Sequence, residues 1–219
     1  MPSFFVTATG TDIGKTYVTA GLVRACRRKG RAVTALKPVV SGFDPLSPES
    51  SDPYALMDAM DLPVTSLDRI SPWRFAAPLS PDMAAAREDR EIDMKDVEGF
   101  CREALATQET VFIEGVGGVM VPMNTRETVA DWMAALRLPL ILVAGSYLGT
   151  ISHTLTALDV VLRRELNVAC IIVNETENST VPLKDTIATI ARFSGGITVA
   201  PLPRRAADAD FDKVLSVLI

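Results

Sequence analysis

Short, nearly unbroken apolar runs alternate along the chain with stretches whose apolar positions recur at helical spacing. The first run is Phe4-Phe5-Val6-Thr7, followed by a glycine-containing turn. A helix over residues 15–29 comes next, with Gly30 placed to cap its C-terminus. Residues 32–37 read as a second strand stopped by Pro38, and 111–114, 140–143, 168–173 and 197–199 as further strands. Continuous apolar runs of this length suit strands covered on both faces. Helices fit 94–106, 128–136, 152–166, 182–193 and 210–218, with Pro182 in a first turn where its missing N–H costs little. Residues 40–81 are less periodic and richer in Pro, Ser and Asp, which predicts long loops around one short helix at 53–60. The alternation implies βαβ units: an α/β fold, a mostly parallel central sheet with helices on both faces, and one domain over residues 1–219.

Composition narrows the function. With 48% hydrophobic and 22% charged residues in 219, the chain is globular and long enough for one self-sufficient core. The net charge of −5 and a pI near 5.0 argue against nucleic acid as the main partner, while leaving room for a local basic pocket. Cys26, Cys101 and Cys170 are scattered, with no zinc or disulfide spacing, and read as small buried hydrophobes in a reducing compartment. The N-terminus lacks the basic and apolar regions of a signal peptide, and no apolar run approaches the roughly 18 residues that span a bilayer. A cytoplasmic protein without membrane contact is expected.

The chemistry begins at Thr7-Ala8-Thr9-Gly10-Thr11-Asp12-Ile13-Gly14-Lys15-Thr16, between the first strand and the first helix. Glycines let successive backbone N–H groups turn inward toward a phosphate. The helix N-terminus adds a positive dipole, Lys15 a formal charge, and Thr16 a hydroxyl suited to Mg²⁺. The standard spacing puts a glycine at position 9; here Thr9 stands there and Gly10 follows one place late. This context specifies a P-loop NTPase-type domain. Glu114 ends a strand and is followed by Gly115, Val116, Gly117 and Gly118, where α/β sheets bind ligands. Alone, such a glutamate is as often structural; beside a P-loop it becomes a second half of a Mg-nucleotide site. Lys37 ends the second strand, expected to lie beside the first, and is either a solvated charge or a second ammonium near the transferred phosphoryl group.

Several segments in this order resemble the dethiobiotin synthetase family: Phe-Val-Thr-x-Thr-Gly-Thr-Asp-Ile-Gly-Lys-Thr at 5–16, Lys-Pro-Val-Val-Ser-Gly at 37–42 and Ser-Asp at 51–52. Ala-Pro-Leu-Ser-Pro at 77–81, Glu-Gly-Val-Gly-Gly at 114–118, Ala-Asp-Trp at 130–132, Leu-Gly-Thr-Ile-Ser-His at 148–153 and Val-Asn at 173–174 extend the likeness over nearly the whole chain. The resemblance implies ATP- and Mg²⁺-dependent carboxylation and ring closure of 7,8-diaminopelargonic acid with CO₂, through a carbamate and a carbamic-phosphoric anhydride. It makes Lys37, Lys15 and Thr11 catalytic, and Thr16, Asp52 and Glu114 the Mg²⁺ ligands. The nucleotide would meet Asp12, Ile13, Gly14, Lys15, Thr16, Tyr17, Gly115, Val116 and Gly117, with Asn174, Pro203 and Arg204 around the purine. Thr11, Asp12, Ser41, Pro81 and Gly118 would face the substrate, whose distal carboxylate would meet Gly149 and Thr150 of a second subunit in a homodimer. Asp12 stands where relatives vary, and Tyr147 where some carry lysine. His153, at the helix start, reads as a capping or packing residue more readily than a catalyst.

Three rivals share the fold. A partition or septum-positioning switch ATPase carries a signature lysine at the position of Gly10 here, and this chain has no terminal basic amphipathic helix. A cobyrinic-acid-type synthetase needs a glutaminase domain for which 219 residues leave no room. A small-molecule kinase would show an Arg-rich lid, whereas residues 40–81 contain only Arg69 and Arg74.

Overall fold

The computed structural model describes residues 2–107 and 109–219. Its centre is a six-stranded parallel sheet built from β1 (Phe4–Ala8), β2 (Val33–Leu36), β5 (Thr110–Glu114), β6 (Leu140–Ala144), β7 (Val168–Asn174) and β8 (Val199–Leu202). The order across the sheet is β2-β5-β1-β6-β7-β8, every neighbouring pair parallel. Side-chain alternation divides the core between the two faces. Phe4, Val6 and Ala8 pack with α1 (Lys15–Arg28) and Phe211 of α9 (Asp208–Leu218). Phe5, Ile113 and Leu142 face the other way, toward α5 (Met94–Leu105), α6 (Val129–Leu136) and α7 (Thr150–Arg163). There Phe5 meets Trp132 edge-on, with ring centroids 4.9 Å apart. α8 (Leu183–Phe193) completes this layer beside α7.

Most expected elements are present, with shifts that have local causes. Gly30 is left-handed (φ +67°) and donates its N–H to Arg27 O, closing α1 as anticipated. α6 starts on a capping box, Thr128 and Asp131 satisfying each other's backbone N–H. α7 begins two residues earlier than predicted, directly after left-handed Gly149 (φ +99°). Pro182 is the residue before α8 rather than in its first turn. The last strand lies at 199–202, not 197–199, and runs through Pro201; β8 is an edge strand, where a missing N–H breaks no ladder.

Two expectations need correction. Strand β2 does not lie against β1, because β5 is inserted between them. Residues 40–81 are not mainly loop: besides α2 (Asp52–Ala59), they hold most of β3 (Val39–Ser41), α3 (Leu67–Ile70), β4 (Trp73–Phe75) and the start of α4 (Pro81–Ala86). Strands β3 and β4 form a separate parallel pair. At three to six residues each, the elements added to α2 are too short for a period to show.

Candidate active site

The P-loop joins β1 to α1, and its curl comes from two residues held left-handed, Asp12 (φ +56°) and Gly14 (φ +95°). Gly10, the glycine displaced from the standard position, has ordinary room for a side chain, its Cβ position being 3.8 Å from the nearest atom. Gly14 has none: a Cβ there would fall 2.3 Å from Asn174 Nδ2. That amide donates to Ile13 O at 2.9 Å, tying the end of β7 to the P-loop. Lys15 opens α1 and donates to Gly10 O at 3.1 Å, across the concavity. Burial, and next the ammonium of Lys37, push Lys15 down to about 8.

The insertion of β5 beside β1 places Glu114 at the sheet centre, fully buried. Thr16 donates to Glu114 Oε1 at 2.7 Å, and Lys37 reaches the same oxygen at 2.6 Å. Lys37, 2% exposed, also donates to Gly115 O at 2.9 Å and lies 3.0 Å from Asp52 Oδ2. Burial works to lower the Lys37 ammonium's pKa, but the two carboxylates reverse this and hold it above the ordinary lysine value. Burial likewise opposes ionisation of Asp52, and the Lys37 charge outweighs it, so that carboxyl stays below its usual range. Lys37 is therefore no solvated surface charge. It is the counter-ion joining β5 to the start of α2.

A cleft of about 770 Å³ opens above this cluster. Thr11, Asp12, Gly14, Lys15, Thr16, Lys37, Ser41, Asp52, Pro81, Val116 and Gly117 line it, so most of the expected site residues converge. The Ser41 hydroxyl is buried without a partner. Gly115 and Gly118 act from behind. A Cβ on Gly115 would press on Phe5 at 2.9 Å, and a Cβ on Gly118 would come into van der Waals contact, at 3.4 Å, with the backbone of Thr9 and Gly10. Sequence reasoning missed Val40, Ser50, Ser51, Pro78, Leu79 and Val121 as walls. Ser51, beside Asp52, and Val40, Pro78 and Leu79, inside the segments 37–42 and 77–81 that carry the resemblance, had a readable signal; Ser50 and Val121 had none.

The donors suit a hard cation. Thr16, Asp52 and Glu114 offer oxygen alone, and Glu114 Oε2 is buried with no hydrogen-bond partner. Among the described residues no three His, Cys, Asp or Glu come together as a metal-binding group.

A second cavity, about 930 Å³, continues past Gly14 and is lined by Ile13, Tyr17, Tyr147, Asn174, Glu175 and Arg204, among others. The Arg204 N–H donates to Glu175 and its guanidinium to Glu177, each at 2.7 Å, joining the loops after β7 and β8. Pro203 lines a neighbouring apolar cavity instead. Gly149 and Thr150 reach neither cleft of this chain. Gly149 lies on a surface depression with Ile151 and Ser152, and Thr150, buried, donates its hydroxyl to Gly145 O. His153 pairs through Nδ1 with the Tyr147 hydroxyl at 2.8 Å.

Comparison with known proteins places this geometry. Residues 2–207 match the family model described as an AAA domain. The chain is 47% identical over 203 residues to the ATP-dependent dethiobiotin synthetase BioD of Methylobacterium nodulans, covering 89% of this chain and 90% of that one. It is 44% identical over 221 residues to the same-named protein of Caulobacter vibrioides, covering both completely. The chain belongs to the dethiobiotin synthetase family. Solved structures sharing the fold alone include a ParA family ATPase from Chlorobium tepidum, with TM-score 0.57, 17% identity, and 99% and 91% of the two chains covered. The septum site-determining protein MinD of Pyrococcus horikoshii has TM-score 0.56 and 13% identity, covering 97% of this chain and 85% of its own. The family's members are ATP-dependent, so ATP is a co-substrate, as the P-loop implied.

Proposed function

We propose that this chain closes the ureido ring of dethiobiotin from 7,8-diaminopelargonic acid, CO₂ and ATP. One amine of the diamine adds to CO₂ and loses a proton, giving a carbamate. A carbamate oxygen attacks the γ-phosphorus, ADP departs, and a carbamic-phosphoric anhydride forms. The second amine then attacks the carbamoyl carbon. The C–O bond to phosphate breaks, and inorganic phosphate leaves as the ring closes.

The observation that carries this reading is the Lys15–Lys37 pair beneath one cleft, beside Ser41 and Thr11. Joining a carbamate to a γ-phosphate brings two anions together, which costs several kcal/mol unless fixed cations meet them. Lys15 and the loop amides would take the β- and γ-phosphates. Lys37, already oriented by three acceptors, would meet the anionic oxygens between carbamate and phosphorus. Thr11, at the exposed rim, and Ser41, with its unpaired hydroxyl, would donate to the carbamate or the migrating phosphoryl. Asp12 lies beside both cavities and could meet a substrate amine. Thr16, Asp52 and Glu114 would hold Mg²⁺, which supplies charge neutralisation at the phosphates when bound.

Asn174 would read the purine edge, an amide offering both donor and acceptor. Arg204 would flank the base, with Pro203 supporting its turn. Gly149 and Thr150 lie outside both cavities of their own chain, which supports a homodimer in which the same turn of a second copy receives the substrate carboxylate at a helix N-terminus. Three free, buried cysteines suit a cytoplasmic enzyme, and among the described residues no helix is long and apolar enough to cross a membrane. Labelled oxygen tests the route: with ¹⁸O-bicarbonate, one label per turnover should appear in phosphate. Phosphate carrying no bicarbonate-derived oxygen would exclude attack by the carbamate on ATP.

A further inference from the structure

The cavity around Asn174 contains two aromatic side chains, and they are held differently. Tyr147 is bound through its hydroxyl to His153, and its ring occupies the space a Cβ on Gly145 would need. Tyr17, in the first turn of α1, lines the same cavity with 43% of its surface exposed. Behind it stands Phe211 of α9, ring centroids 5.4 Å apart and planes 66° apart, an edge-type contact. Phe211 is 6% exposed and comes so near α1 that a Cβ on Gly21 would lie 2.0 Å from its ring. A glycine inside a helix costs stability relative to alanine, and here its return is the close approach of that ring. Gly21 admits Phe211, and Phe211 braces Tyr17 at the cavity wall.

We infer that Tyr17 is the stacking wall for the nucleotide base and that Phe211, though it lines neither cleft, is a positioning residue acting through Tyr17. Every base has a π-face, so an aromatic wall supplies affinity while Asn174 supplies edge recognition. The inference rests on the proposed placement of the base in this cavity. It adds a determinant at the far end of the chain, in the last helix.

Calorimetric titration of the full-length protein with ATP, and separately with inorganic tripolyphosphate, tests it. The tripolyphosphate shares the P-loop contacts and has no base. Tyr17→Ala should weaken ATP by roughly tenfold, and Tyr17→Phe should leave it near wild type. Phe211→Leu, chosen to keep α9 packed on α1, should weaken ATP roughly threefold, with tripolyphosphate unchanged for every variant. The Tyr17→Ala/Phe211→Leu double variant should bind ATP no worse than Tyr17→Ala alone, the signature of action through one residue. Additive losses, equal losses for ATP and tripolyphosphate, or ATP binding indifferent to either residue would overturn the inference. Asn174→Ala separates the two levels. If it weakens ATP but not tripolyphosphate while Tyr17→Ala weakens neither, the stacking wall alone is wrong; if neither variant weakens ATP relative to tripolyphosphate, the base lies elsewhere.

Discussion

The two banks of the catalytic cleft are built in contrasting ways. One consists of the ends of β1 and β5, central strands buried along their whole length: the loop after β1 forms the phosphate cradle and the last residue of β5 is Glu114. The other is assembled from pieces of three to eight residues, β3, α2, β4 and α4, which supply Ser41, Asp52 and Pro81. Strand ends held by ladders on both sides make a rigid platform for the phosphates. Short elements with fewer internal hydrogen bonds suit a side that, in the proposed reaction, would admit and release the alkyl diamine. Lys37 joins them, bonded to Glu114 on the first bank and Asp52 on the second.

Breaking that joint should have the largest effect. Lys37→Ala would also strand Glu114 as a buried unpaired carboxylate, costing about 3–5 kcal/mol. Lys37→Gln keeps a donor for Glu114 and Gly115 and is the cleaner variant. Its kcat should fall by about a thousandfold while ATP affinity stays within about threefold, because the charge matters most in the transition state. Steady-state kinetics with calorimetry checks this, and equal losses in both quantities would make Lys37 a plain binding residue.

On the rigid bank alone, Gly14→Ala should weaken ATP by at least about tenfold. The new Cβ would collide with the Asn174 amide at a backbone angle that favours glycine. Titration with ATP measures it, and wild-type affinity would show that the P-loop curl is not fixed at Gly14.

A pH series sharpens the same contrast from the charge side. Lys15 in the free site ionises near 8, so below that pH it is already an ammonium. Above it Lys15 in the free site is neutral while Lys37 stays charged, so Lys15 must recruit a proton when a polyphosphate binds. ATP affinity measured without metal should therefore fall by up to about tenfold per pH unit above 8. A flat profile to pH 9.5 would contradict that placement of Lys15.

The smallest effect should separate the two carboxylates. Glu114→Gln neutralises the buried carboxylate proposed to hold Mg²⁺ and should raise the Mg²⁺ concentration needed for half activity more than Asp52→Asn, whose carboxylate is partly exposed. Matching shifts of both metal titrations would put the two banks on an equal footing.

The rigid bank was legible in the sequence because its strands are long apolar runs and its loops carry glycine at constrained positions. Lys15, Thr16 and Glu114 could be read from those strings. The second bank had no period to read, so Ser41, Asp52 and Pro81 came only through family resemblance. The sheet order was also hidden. Sequence neighbours β1 and β2 suggested contact, yet insertion of β5 is what puts Glu114 within 2.6 Å of Lys37. Left-handed Asp12 was equally invisible, since aspartate tolerates that conformation without announcing it.

The most direct measurement is phosphate release from Mg-ATP in the presence of bicarbonate, with and without 7,8-diaminopelargonic acid. Release that requires both the diamine and bicarbonate, with dethiobiotin appearing in equal amount by mass spectrometry, is the predicted result. Hydrolysis of ATP that ignores the diamine, or diamine consumed without ring closure, would contradict the account.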